Sequence, residues 1–91
     1  MKGYTKITKS EYAVYVRFLS VGNRQRFELV MDKFNQAFPM KEWDENRRSW
    51  QLEHADLTRI IDFSKSLFGP TNYMIIDEDN MGSYPRQSTF I

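Results

Sequence analysis

The segment from Met40 to His54, read as MKEWDENRRSWQLEH, constrains the fold of this chain most strongly. Two short patterned runs meet at a polar turn, and a turn with Asn46 and Arg47 at its tip places Trp43 opposite Trp50 on one face of a hairpin. The hairpin therefore has an aromatic side that belongs to a core and a charged side that belongs to solvent. Its turn carries Arg47 and Arg48 to an exposed end.

The other patterned segments predict two helices and two more strands. Alternating apolar and polar residues indicate a strand, and apolar residues at helical spacing indicate helices that stop at Pro39 and at Gly69-Pro70. In chain order, the predicted elements are a strand at 12–19, a helix from about 24 to 38, hairpin strands at 40–44 and 49–53, a helix at 57–68 and a strand at 72–76.

This order predicts an α+β protein with a single ferredoxin-like β-α-β-β-α-β sandwich, in which an antiparallel sheet carries both helices on one face. A variant with only three paired strands is the alternative, because the strands at 40–44 and 72–76 are short. Residues 1–10 are predicted to be a flexible N-terminal arm, residues 11–79 the domain, and residues 80–91 a flexible C-terminal tail.

The alternation also assigns the two faces of the sheet. The face under the helices is expected to carry Tyr12, Val14, Val16, Phe18, Trp43 and Trp50. The open face is expected to show Tyr15, Arg17, Glu42, Asp44, Ser49 and Gln51, with Glu53 as a further candidate.

Composition excludes several classes of function. The 91 residues make one domain, and the absence of cysteine excludes disulfides, thiolate metal sites and thiol catalysis. The single histidine, His54, lies where a strand meets a helix, which is typical of a turn or capping residue. No glycine-rich phosphate loop or zinc spacing is present, and the acids at 77–79 alternate between faces of a strand. An enzyme, a metal site and a cofactor are therefore not expected.

The expected cellular location rests on two sequence features, a membrane-spanning helix and a secretory signal. No apolar run reaches the roughly 20 residues that a membrane helix requires, and no secretory signal is visible near Met1. A cytoplasmic location without a membrane partner is expected.

Four arginines provide the main functional hypothesis. In the predicted order, the connection after the first strand and the hairpin turn share one end of the sheet, so Arg24 and Arg26 are expected near Arg47 and Arg48. A helix start there adds free N–H groups, and guanidinium groups bind phosphate in bidentate fashion. The alternative is a set of ordinary exposed arginines, since the net charge is only +1. The hypothesis is that the protein is a small non-enzymatic module that binds nucleic acid or assists its processing. The sequence leaves open whether the nucleic acid is DNA or RNA.

Tyr15 is the candidate for base stacking on the open face. The run Val14–Leu19 is similar to the first-strand motif of RNA-recognition domains, in which an open-face aromatic stacks on a base. The neighbouring strand shows Gln51 flanked by acids instead of aromatics. This argues against that family and makes Tyr15 a half-exposed packing residue in the alternative interpretation.

The hairpin has the motif W-D-x-x-x-R-x-W-x-L, formed by Trp43-Asp44 and Arg48 to Leu52. This motif resembles the repeated tryptophan hairpin in the HARP domain of annealing helicases and in related modules of DNA-processing enzymes. The resemblance covers about a third of the chain. It implies a non-catalytic, DNA-associated module and carries over only the basic turn residues Arg47 and Arg48.

A protein-interaction or assembly adaptor is the second hypothesis. Tyr84, Phe90 and Ile91 are apolar residues in an otherwise polar terminus, which suits docking on a protein partner. Short exposed strand edges could also pair with a second copy of the chain and give a homodimer.

Overall fold

The computed structural model describes residues 1–78, which form a five-stranded mixed sheet and two α-helices. The α+β class is as expected. The elements are β1 (Tyr4–Lys9), β2 (Val14–Leu19), α1 (Arg24–Ala37), β3 (Glu42–Asp44), β4 (Ser49–Leu52), α2 (Leu57–Phe68) and β5 (Tyr73–Asp77), with a short 3-10 turn at His54–Asp56 before α2. The strands lie in the order β3-β4-β2-β1-β5.

The tryptophan hairpin has the predicted register. Trp43 pairs with Trp50 across β3 and β4, and the two rings meet edge to face with centroids 5.0 Å apart. The Asp44 carboxylate accepts a hydrogen bond from the backbone N–H of Arg47 at 3.0 Å, which fixes the start of the turn. Local turn chemistry and the aromatic pair together determine this part of the sheet.

Both helices also begin and end close to the predicted positions. Asn23 caps α1, because its side-chain oxygen accepts the backbone N–H of Arg26 at 2.9 Å. At the end of α2, Gly69 has a φ of 106°, a conformation that glycine tolerates, and its N–H donates to the Lys65 carbonyl.

The predicted flexible arm at 1–10 is wrong, because most of it forms β1 inside the sheet. Thr5 and Ile7 are fully buried on the helix side. The turn to β2 is held by Ser10, whose N–H donates to the Ala13 carbonyl at 2.9 Å. On the helix side, the Ser64 hydroxyl of α2 donates to the Thr5 hydroxyl at 2.7 Å. Buried polar pairing compensates here for a strand with few apolar residues.

The ferredoxin-like strand order is also wrong. That order would place the last strand beside β2, but β1 pairs with β2 through a tight turn and occupies that position. The last strand, β5, therefore pairs with β1 instead, and it does so in parallel. β4 and β5, which follow each other in the chain, run in the same direction. Parallel strands of one sheet require a crossover connection, and helix α2 provides it between β4 and β5.

One hydrophobic core lies between the helices and the sheet. The inward positions of β2 are those predicted, namely Val14, Val16 and Phe18, whereas Tyr12 precedes β2 and is exposed. Phe18 meets Phe34 of α1 edge to face at 5.0 Å between centroids. The core also includes Ile7, Val30, Phe38, Leu52, Ile60 and Phe68.

Neither helix within residues 1–78 has the length and apolar character needed to cross a bilayer. The predicted tail at 80–91 lies outside the described residues.

Candidate functional site

The start of α1 and the hairpin turn lie at the same end of the sheet, as the arginine hypothesis requires. β2 leads into α1 at this end, and β4 begins alongside the C-terminal half of β2, where Val16 pairs with Trp50. The four predicted arginines are therefore brought to one end of the molecule, but they do not share one surface.

Two of the four arginines bind carboxylates. Arg24 contacts Glu28 at 3.2 Å on the exposed side of α1. Arg47 contacts Glu78 and, more loosely, Asp44 at 3.9 Å. Within residues 1–78, Arg26 and Arg48 have no carboxylate at ion-pair distance.

Arg47 and Glu78 form a clasp over the open face of the sheet. Arg47 Nη1 lies 2.5 Å from Glu78 Oε2, and Arg47 Nη2 lies 2.9 Å from Glu78 Oε1, which is a bidentate pair. These hydrogen bonds hold the pKa of the Glu78 carboxyl below its usual range and raise the pKa of Arg47. The clasp joins two segments that are 31 residues apart in the chain.

The clasp also covers Tyr15, the residue predicted as a stacking platform. The Arg47 guanidinium carbon lies 4.1 Å from the centre of the Tyr15 ring, and Tyr15 is only 8% exposed. The sequence predicts a half-exposed Tyr15, but the Arg47 guanidinium covers its ring. In this arrangement the ring has no open face on which a base could stack.

Exposed aromatic surface lies on the opposite side of the hairpin, in a group that we call the aromatic rim: Phe27, Trp43 and Arg48. Trp43 is 48% exposed and Phe27 is 42% exposed. The three residues line a depression of about 260 Å³ that Arg17 also borders. Trp43 is oriented by its indole N–H, which donates to the Glu45 carboxylate at 3.2 Å. The rim combines half-exposed rings with guanidinium groups, which is the chemistry of base stacking beside phosphate.

Arg48 has an uncommon backbone conformation. Its φ is 51°, in the left-handed region that is unfavourable for a residue with a Cβ by roughly 1–2 kcal/mol. Glycine at this position of the turn would avoid that cost. The chain instead has a long cationic side chain at the tip of the hairpin.

A second depression lies on the open face, beneath the clasp, and we call it the open-face depression. Its volume is about 540 Å³. Lys6 and Arg17 stand directly opposite each other on β1 and β2 in this depression. Thr8, Tyr15, Ser49, Ile76 and the clasp residues complete its lining.

The sequence interpretation did not identify Lys6, Phe27 or Trp43 as site residues. The sequence predicts that Lys6 belongs to a flexible arm, and an arm outside the sheet has no strand position opposite Arg17. Alternating β-branched residues in YTKITK were the signal for that strand. Phe27 and Trp43 follow the core periodicity of their elements, and only their places at the margin of the core leave them exposed.

Three other features that the sequence singles out are His54, a possible metal site and the C-terminal apolar residues. His54 is a turn residue, as predicted, and its Nε2 lies 2.6 Å from the Ser10 carbonyl oxygen. Within the described part of the chain, no three histidine, cysteine or acidic residues are grouped as metal ligands would be. Tyr84, Phe90 and Ile91, the predicted partner-binding residues, lie outside the described residues.

Comparisons with protein-family models, with curated proteins and with solved structures found no match to this chain.

Proposed function

We propose that this protein is a small non-enzymatic module that binds single-stranded nucleic acid at the aromatic rim. The observation that carries the proposal is the combination at the rim of two half-exposed rings with a guanidinium, that of Arg48, which has no carboxylate partner within residues 1–78. Bases stack on exposed aromatic rings without sequence preference, while cations contact the backbone. The tryptophan-hairpin resemblance to DNA-associated modules is consistent with this function.

The backbone conformation of Arg48 supports a role for its side chain. Glycine would be the more stable choice at a φ of 51°, so arginine at this position has a cost in folding free energy.

The single-stranded form is favoured over the duplex because stacking requires unpaired bases. Three cations without a carboxylate partner in the described residues line the two depressions: Lys6, Arg17 and Arg48. If all three contact phosphates, the logarithm of the binding constant falls with the logarithm of salt concentration with a slope of about −2.

The test is a fluorescence anisotropy titration of labelled single-stranded and duplex oligonucleotides at two salt concentrations. The decisive comparison is Arg48→Gly against Ser20→Gly. Ser20 has a φ of 56°, so both substitutions relieve a left-handed residue near the same end of the sheet, but only the first removes a cation. Arg48→Gly is expected to weaken binding about threefold to fivefold, and Ser20→Gly is expected to leave it unchanged.

Two results would overturn the proposal: no salt-dependent binding by the wild-type protein, or equal affinities for the two glycine variants. Trp43→Ala provides an independent check, because removing a stacking ring should weaken single-strand binding about fivefold or more.

A protein-interaction function is the second candidate, and it is supported by the edge strand β5. Within the described residues β5 ends the sheet, and both Met74 and Ile75 are exposed although they alternate between its faces. A strand with this exposure can accept another strand, including β5 of a second copy. Light scattering across a range of protein concentrations tests self-association, and Ile75→Lys should abolish any dimer. A monomer at all concentrations would exclude the homodimer.

A further inference from the structure

Within the described residues, the open-face depression contains two positive charges with which no carboxylate forms an ion pair. Lys6 and Arg17 are directly opposite on antiparallel strands, an arrangement in which like charges are destabilising. Within residues 1–78, neither has a carboxylate at ion-pair distance. The third cation of the lining, Arg47, has Glu78 as its bidentate partner, with Asp44 also 3.9 Å from its Nε.

The polar groups of the depression suit an anion with several oxygens. Thr8 is part of the lining and adds a hydroxyl group beside the ammonium and guanidinium groups. Ser49 is almost fully buried, and its hydroxyl donates to the Arg47 carbonyl at 3.0 Å, which holds the turn against the depression. A phosphate monoester carries a charge of about −1.5 to −2 at neutral pH, whereas an internal phosphodiester carries a single charge. The monoester is therefore the closer match to two unbalanced cations.

We infer that the open-face depression binds a phosphate monoester through Lys6 and Arg17, and that this group is the terminal phosphate of the strand bound at the aromatic rim. The second half of the inference rests on the proposed function. Arg17 connects the two sites, because it borders both the depression at the rim and the one on the open face. A strand stacked on the rim would thus end at a cationic position on the opposite side of the sheet.

The test compares oligonucleotides of one sequence that carry a 5′-phosphate, a 3′-phosphate or hydroxyl groups at both ends. The 5′-phosphorylated or the 3′-phosphorylated strand is expected to bind about threefold to tenfold more tightly than the hydroxyl strand, since two partly exposed cations contact the extra charge. The terminus at which phosphorylation raises the affinity identifies the direction in which the strand binds.

Lys6→Gln and Arg17→Gln should each reduce this preference, and together they should remove it. Lys33→Gln is the matched control, because it removes one exposed cation from α1 outside both depressions. It should leave the ratio between phosphorylated and hydroxyl strands unchanged. Circular dichroism confirms that each variant is folded.

Titration with inorganic phosphate and with adenosine monophosphate, followed by the NMR signals of Lys6 and Arg17 and their neighbours, separates this inference from the proposed function. Saturable shifts at these residues without any oligonucleotide binding would support the phosphate site with a free nucleotide as its ligand and refute the strand-binding function. Equal affinity for phosphorylated and hydroxyl strands, without shifts in the phosphate titrations, would overturn the inference. In that case the rim could still bind a strand.

Discussion

The Arg47–Glu78 clasp gives the most direct test of the structure, because it joins the hairpin turn to the end of β5. The perturbation is a double-mutant cycle with Arg47→Gln, Glu78→Gln and the double variant. The side chains are 34% and 43% exposed, so the pair resembles a surface ion pair more than a buried one. Such pairs stabilise a fold by about 0.2–1 kcal/mol, and bidentate geometry places this pair near the upper end.

The two single variants should differ in a defined way. Glu78→Gln removes only the ion pair and is expected to lower the free energy of unfolding by about 0.5–1 kcal/mol. Arg47→Gln also removes the guanidinium from the Tyr15 ring and from Asp44, 3.9 Å away, and the loss of the ring contact adds about 0.5–1 kcal/mol. For a domain of this size, 1 kcal/mol corresponds to about 4–8 °C in Tm.

The assay is urea unfolding followed by circular dichroism, with Tm values from thermal melts. The coupling free energy should be about 0.5–1 kcal/mol. A coupling within the roughly 0.3 kcal/mol found for independent sites would refute the clasp as a stabilising contact.

The pH dependence provides a second readout of the same pair. The pKa of Glu78 is lowered in the folded state, so its stabilising effect is fully present above the unfolded-state value of about 4.3 and is lost as the pH falls through the lowered folded-state value. The stability difference between the wild type and Glu78→Gln should therefore be constant near neutral pH and should disappear in acid. A difference that is as large in acid as at neutral pH, under conditions in which both proteins stay folded, would contradict an ionic origin.

Three further predictions test other features of the fold. Arg17→Gln should raise the free energy of unfolding by about 0.2–1 kcal/mol in low salt, because it removes the repulsion from Lys6; unchanged or lower stability in urea would contradict this. Thr5→Val should cost about 1–3 kcal/mol, because the Ser64 hydroxyl loses its acceptor at 2.7 Å and is left with the Asn72 carbonyl oxygen at 3.4 Å; a neutral effect in the same assay would show that the Asn72 carbonyl replaces it fully. Asn23→Ala should cost about 1 kcal/mol through the loss of the α1 cap, whereas Asn23→Asp should retain most of the stability.

The sequence was a good guide wherever structure depends on near neighbours in the chain. The register of Trp43 and Trp50 follows from one turn, and the bounds of α1 and α2 follow from apolar spacing together with caps and breakers within a few residues of each end. These features require no knowledge of which distant segment packs against them.

The N-terminal strand shows why the topology could not be obtained in the same way. Residues Tyr4 to Lys9 have only one large aliphatic side chain, Ile7, so their pattern is weak by itself. They form a strand because β2 provides a hydrogen-bonding edge and α2 provides a hydroxyl partner for Thr5. Because β1 occupies that edge, β5 cannot pair with β2, and the ferredoxin-like order is excluded; β5 pairs with β1 instead.

The residues of the candidate site also differ in whether their positions depend on local sequence or on tertiary contacts. The sequence determined that Arg47 and Arg48 lie in a turn, because turn position is a local property. Only the tertiary structure decided that Arg47 turns toward Glu78 and Tyr15, that Arg48 lies with Phe27 and Trp43, and that Lys6 faces Arg17. Charge pairing and exposure depend on groups that the chain brings together from far apart, and hydrophobic periodicity contains no information about which of those groups will meet.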